Sequence, residues 1–388
     1  PQTFADKTAA LKILTSAQDA GSAGIAWMPI SYYIHPTVNE LRKLISYVCL
    51  FFIVLNTVKS KRQIDILIYT LIFVGLFEAL YAIYQVFSES PKVWWWQSRV
   101  GHSRWASGTV IVSNHFAGYM QMVVCLTFGF LIAQGKKTNR MISNLGGAKE
   151  GVQRVVAWLS PESTRPQAVF LFVMGIIMAV ALMMSASRGG IISISISMLL
   201  MSVLFLFKKR YRRYALLTLL LCVLAFFYAL HLGIDPTLEK FRKTDGLNSR
   251  LHISRSIVPM VFDYPLTGVG WGNFKYVYPR YIDDYDRVKA SSYAHNDWLE
   301  AGTEIGLPGL LLLYSLFLVY IARLIRIGKR RRNGHALGIG AGVLAALLSI
   351  SFHSYFDFNM HIPANPLTLA AILGLGYAAV HRQGHGYS

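Results

Sequence analysis

The chain has 388 residues, 54% of them hydrophobic, with a mean hydropathy of +0.42 and a formal net charge of +19. That apolar content excludes an ordinary soluble globular protein and points to a polytopic membrane protein. The charge alone would suit nucleic acid, but the Lys and Arg residues cluster between apolar runs, where they encode membrane orientation instead. Cys49, Cys125 and Cys222 all fall inside apolar runs, which excludes a disulfide framework or a zinc site built from spacing. The sequence opens at Pro1 without an initiator Met or signal-peptide pattern, so an N-terminal truncation, with further spans upstream, is expected.

In chain order, residues 1–40 are mixed and polar, with Pro29 and Pro36 and no spanning run. A first span is expected at about 41–58, followed by Lys59-Ser-Lys-Arg62, and a second at about 64–87. The next loop carries Trp94, Trp95 and Trp96, a cluster suited to a membrane interface. A third span is expected at about 109–133. The basic loop 135–167 follows, with Val152, Val155, Val156 and Leu159 at helical spacing beside Trp158, the pattern of a helix lying on the membrane surface. The fourth and fifth spans, about 168–184 and 191–207, are separated only by a turn containing Ser185, Ser187, Arg188, Gly189 and Gly190. The basic run 208–213 precedes a sixth span at about 214–230. A long non-spanning segment, 231–305, leads to a seventh at about 307–327, the basic run 329–332, and spans at about 336–352 and 364–380.

With these nine spans, the basic runs at 59–62, 135–165, 208–213 and 329–332 all fall on one side of the membrane, as the positive-inside rule requires of a cytoplasmic face. Residues 1–40, the Trp loop, the Arg188 turn, 231–305 and 353–363 then share the outer face. The expected fold is all-α: a transmembrane helical bundle with spans one to six in 41–230, spans seven to nine in 306–388, and a long, partly helical outer loop at 231–305. Loops of that length are usually functional.

Several outer-face residues carry potential chemistry. Arg188, at the outer end of a helical hairpin, is either a snorkelling interfacial arginine or an anion site, with Gly189 and Gly190 allowing close approach to the backbone. Arg250 and Arg255 lie in what reads as a helix start, and Arg250, in the first turn, is the better phosphate partner; solvated surface arginines are the other reading. The glycine-rich stretch 265–274 lacks the βαβ surroundings of a nucleotide fingerprint and reads as a tight turn packed on the membrane domain. Asp284 and Asp286 form a D-x-D pair, either a metal site or a solvated acidic run. His115, His353 and His361 read singly as satisfied polar residues. His295 sits where polar loop gives way to apolar run, before Asp297-Trp-Leu-Glu300, which reads as a helix start capped by Asp297. The positive end of that helix disfavours an imidazolium, which suits His295 to the role of general base. Carboxylates 297, 300 and 304 share a helical face directed away from His295 and are not expected to orient it.

Taken together, four ordered stretches resemble the O-antigen ligase and O-antigen polymerase family of bacterial integral-membrane glycosyltransferases. They are 113–118, with Asn114 and His115; 187–190, with Arg188; 249–250 followed by 265–274; and His295-Asn296 running into 304–310. The stretch 357–365 also looks like a family feature. The resemblance implies an inner-membrane enzyme with its site facing the periplasm. It would move a glycan from undecaprenyl diphosphate to a hydroxyl acceptor such as lipid A-core, with inversion and with no metal or other cofactor. In that scheme His295 is the base, Arg188, Arg250 and Arg255 bind the diphosphate, and Asn296, Asn114 and His115 contact substrate. A polymerase extending lipid-linked repeats, a protein O-oligosaccharyltransferase and a lipid or polysaccharide transporter are the competing readings. The gathering of charges at outer ends disfavours transport. A cysteine placed near Arg331 is expected to resist labelling by an impermeant thiol reagent applied from the periplasmic side, while one placed within 231–305 labels; the reverse pattern overturns the orientation.

Overall fold

The computed structural model describes residues 30–90, 92–94, 97–98, 105–144, 165–206, 212, 216, 219, 245–282, 292–330 and 333–381. Within these the protein is all-α apart from a two-residue antiparallel ladder, β1 (Lys92–Val93) with β2 (Gln97–Ser98). The helices are α1 (Ile34–Thr57), α2 (Lys61–Phe87), α3 (Ser113–Asn144), α4 (Arg165–Met184), α5 (Arg188–Leu206), α6 (Asp245–Asp263), α7 (Phe274–Val277), α8 (Asp297–Arg330), α9 (Gly334–His353) and α10 (Ala364–His381). Six of them, α2, α3, α4, α8, α9 and α10, contain stretches long and apolar enough to cross a membrane. The first expected span coincides with the greater part of α1, whose N-terminal half carries Glu40, Arg42 and Lys43; the fifth lies in α5, whose apolar stretch is the shorter Arg188–Val203. Of the expected sixth span only residues 216 and 219 are described, and the surface helix at 152–159 lies outside the described residues.

At the centre stands α3, buried at every position from 115 to 134, with α9, α4, α2, α5 and α10 packed around it. Its closest approach is to α9. A Cβ on Gly129 would lie on Gly342 Cα and 2.7 Å from Gly338 O, so the backbones touch where small residues recur four apart. The third span begins at Ser113, not near 109. The Glu78 carboxylate accepts from both the N–H (2.9 Å) and the hydroxyl (2.7 Å) of Thr109, holding that residue in a turn.

Gly306 (φ 69°, ψ 175°) interrupts α8, so a short outer piece ends there and the apolar, largely lipid-exposed piece begins at Leu307, where the apolar run was expected to start. The glycine-rich turn docks on this break. Val269 N–H donates to Thr303 O (2.9 Å), Gly270 N–H to Glu304 O (3.0 Å) and Leu307 N–H to Pro265 O (2.8 Å). On its other side Asn273, fully buried, donates to Ser31 Oγ (2.9 Å) and accepts from Tyr33 N–H (3.0 Å), tying the turn to the entry of α1.

At the opposite end, His335 Nε2 lies 2.6 Å from Asp65 Oδ1, and Lys61 pairs with Asp65 at 2.8 Å. This brings the starts of α2 and α9 together, as the alternation of spans demands. Gly129→Val and Gly338→Val should each lower thermal stability in detergent by about 1–3 kcal/mol through overpacking. Gly328→Ala, where the nearest atom is Leu337 Cδ2 at 3.9 Å, should be near neutral.

Candidate functional site

The outer ends of α3, α5, α8, α9 and α10 meet around one carboxylate. Asp357 lies in the turn after α9 with its side chain 2% exposed. Asn114, in the first turn of α3, donates its Nδ2 to Asp357 Oδ2 at 2.6 Å, and Phe358 N–H donates to Oδ1 at 2.9 Å. His295 Nδ1 is 3.4 Å from Oδ1, near enough for electrostatic orientation but without the alignment of a hydrogen bond. His115 Nε2, buried, is 3.7 Å from the same oxygen. Phe358 is a template for these rings: its centroid is 4.5 Å from His115, 4.8 Å from His295 and 4.4 Å from Tyr293, which stacks on it.

The backbone at His295 is in the left-handed region (φ 52°), a conformation that non-glycine residues adopt when their surroundings impose it. Neighbours on both sides do so. Ala294 N–H donates to Glu300 Oε2 (2.8 Å) and Asp297 N–H to Ser354 O (2.8 Å). The helix cap is Asn296, whose Oδ1 accepts from Leu299 N–H at 3.0 Å. This corrects the expected cap by one residue. Asp297 is withdrawn from capping because its carboxylate accepts from Met360 N–H (3.1 Å) and pairs with His361 Nδ1 (3.1 Å).

As expected from their helical face, carboxylates 297, 300 and 304 do not address His295. Asp297 and Glu300 clamp His361, whose Nε2 is 3.2 Å from Glu300 Oε1, and Glu304 accepts from Phe274 N–H at 2.9 Å. Glu300, Glu304 and His361 each place one ligand atom within 4.8 Å of the others. Such a set would admit a hard divalent cation, but each group already holds a protein partner, and the cluster serves to fasten the loop. The Asp284–Asp286 pair lies outside the described residues.

Arg188 opens α5, half-buried, after a turn in which Ala186 also takes a left-handed φ of 52°. The turn rests on His353, fully buried at the end of α9. A Cβ on Gly189 would lie 2.8 Å from His353 Cδ2, so only glycine lets ring and backbone approach this closely. Gln121 Nε2 donates to His353 Nδ1 (3.2 Å), which leaves the ring proton on Nε2, 3.4 Å from Ser187 Oγ. His353 therefore links the Arg188 turn to the Asp357 turn, since Asp357 N–H donates to His353 O at 3.1 Å. Arg250 is helical, in α6, while its side chain lies outside the described residues. Arg255 is exposed on α6, and among the described residues no hydrogen bond or ion pair joins it to the Asp357 cluster. Asp357, His353, Gln121 and His361 are the residues that sequence reasoning left without a role here. The assignment of 353–363 to the same face as His295 was the available signal.

The fold and this cluster define a polytopic membrane protein with a polar site at one end of its bundle. Residues 173–314, from α4 through the Arg188 turn and His295 into α8, match the family model for O-antigen ligase. No curated protein matches it. The match indicates activity of the ligase or polymerase type.

Burial opposes charging of His361, but the Glu300 and Asp297 carboxylates outweigh it and hold its pKa well above the ordinary 6.5. A raised folded value means that the ion pairs contribute fully below about 6.5 and are lost as pH rises through the folded value. Thermal stability in detergent should accordingly decline on alkaline titration, and His361→Gln should flatten that limb while lowering stability at neutral pH.

Proposed function

We propose that the protein is an inverting, metal-independent glycosyltransferase that moves a glycan from undecaprenyl diphosphate to a hydroxyl acceptor at the periplasmic face of the inner membrane, in the manner of an O-antigen ligase. The observation that carries this reading is the pairing of His295 with a buried carboxylate, inside the family-matched segment and beside the Arg188 turn. In this reading Asp357, on the Nδ1 side of the ring, favours the tautomer with its proton there, and Nε2, on a side chain 29% exposed, is the accepting atom.

In the step proposed, the acceptor hydroxyl oxygen forms its bond to the anomeric carbon as the bond from that carbon to the diphosphate oxygen breaks. The hydroxyl proton passes to His295 Nε2, and the departing oxygen takes the bonding pair. Attack opposite the leaving group inverts the centre. Arg188 and Arg250 receive the growing diphosphate charge, a guanidinium being matched to phosphate oxygens. Asn114 holds Asp357 with His115 beside it, and Asn296 fixes the turn that presents His295. The apolar flanks of the bundle accommodate the polyprenyl tail. Residues 1–40 and 231–305 form the outer parts in this scheme.

With purified protein and lipid-linked glycan, His295→Ala should lower turnover by about two to four orders of magnitude while donor binding persists. Asp357→Asn should lower kcat by about 10²–10⁴-fold with little change in KM, since the base loses its orienting charge. Arg188→Ala should impair transfer far more than folding, with partial rescue by Lys. Wild-type rates in His295→Gln and Asp357→Asn would overturn the reading. Activity should survive EDTA; loss restored by manganese would point instead to the Glu300–Glu304–His361 cluster or the Asp284–Asp286 pair. Product formed with lipid A-core, rather than lengthened lipid-linked chains, separates ligase from polymerase.

A further inference from the structure

Helix α6 is apolar on two opposite sides. One side, with Ile257, Met260 and Val261, packs into the core of the outer loop beside Val269, Phe274 and Tyr278. Val258, Pro259 and Phe262 recur at helical spacing on the other side, and all are exposed. A helix in water keeps one such side polar. Here the second apolar side continues past the helix end to Leu266.

Phe262 (71%) and Leu266 (74%) are, with Phe87 (79%) and Ile30 (76%), the most exposed large apolar residues among those described. All four stand at the His295 end of the bundle. Leu266 also adjoins the membrane-facing surface: Leu307 N–H donates to Pro265 O at 2.8 Å, and a Cβ on Gly306 would lie 2.5 Å from Leu266 O. From Leu307 the exposed apolar surface of α8 runs on through Leu311, Leu312 and Leu316. The stripe on α6 is thus continuous with the surface that α8 presents to lipid, at the level where α8 enters the bilayer.

We infer that α6 is a membrane-interface helix, with Val258, Phe262 and Leu266 seated among the outermost acyl carbons of the outer leaflet. Arg255, exposed on the same side about two turns from Phe262, is placed to meet a headgroup phosphate while its stem covers apolar surface. The partner is the phospholipid surface itself. Continuity with the lipid-facing side of α8 selects it over a second copy of the chain or a soluble protein. Its consequence is positional, because α6 packs on α8: the bilayer surface then fixes the height of the loop that carries Arg250 and His295.

The test places a benzophenone-bearing amino acid singly at positions 262 and 266 of the full chain, reconstituted in phosphatidylethanolamine–phosphatidylglycerol vesicles. Position 311 is the lipid-facing reference and the exposed Lys275 the aqueous one. These side chains are exposed, so the substitutions leave the core untouched. Illumination should give the mass shift of a phospholipid adduct at 262 and 266 in a yield comparable to that at 311, and none at 275. Absence of lipid adducts at 262 and 266 alongside a strong adduct at 311, or a covalent dimer from either position, would overturn the inference.

Discussion

Everything at the outer end of the bundle depends on how one buried carboxylate is accommodated. Asp357 is nearly inaccessible to water at the end of apolar helices, where an unsatisfied charge would be costly. Its partners come from far apart in the chain: Asn114 lies 243 residues away with His115 beside it on α3, and His295 comes from a second approach to the same point. The carboxylate therefore acts as an assembly constraint. Helix α3 must start beside it, the turn after α9 must fold back on it, and the loop must deliver His295 in a strained backbone conformation. Because the same charge that demands these partners also orients an imidazole, packing and chemistry share one cause.

A second constraint keeps the loop in place. The outer piece of α8 is held by the His361 clamp on one side and by the glycine-rich turn on the other. Gly268 (φ 64°) and Gly306 (φ 69°) take left-handed conformations where the turn meets α8: a side chain on Gly268 would strike the backbone of Glu304 and Ile305, and one on Gly306 that of Leu266 and Thr267. The carboxylates nearest His295 in sequence are used in this docking. That division leaves Asp357, distant in sequence, as the group facing the histidine. The arrangement separates the residues that hold the loop from those that orient the ring.

Much of the fold was legible because long apolar runs bounded by basic clusters admit few readings. The start of the lipid-facing run at Leu307 and the docking of the glycine-rich turn followed from local pattern alone. The cap of α8 was read one residue late because Asn and Asp cap equally well, and only the Asp297–His361 contact, spanning 64 residues, decides between them. The start of α3 was read early for the same kind of reason: Thr109 looks helical until Glu78, on another helix, captures it. His353 and His361 read as satisfied polar residues, which they are, but what satisfies them is what links the Arg188 turn to the Asp357 turn and fastens the loop. Pairings over such distances leave no periodic trace, so the roles of Asp357 and His353 became visible only once the helices were placed.

Two of the four non-glycine residues with a left-handed φ among those described, Ala186 and His295, lie where the chain bends toward the Asp357 cluster. Each precedes a helix N-terminus, and each sits against the turn that follows α9, through His353 in one case and Asp357 in the other. In the proposed scheme the anion-binding group and the base are thus both set against the one segment that ends α9 and follows it. For a reaction in which a hydroxyl must attack from the side opposite a departing diphosphate, a fixed separation between the groups serving the two ends is the principal geometric requirement. In the proposed scheme residues 353–358 would serve it with a buried histidine, a buried carboxylate and one phenylalanine against which three aromatic rings are set.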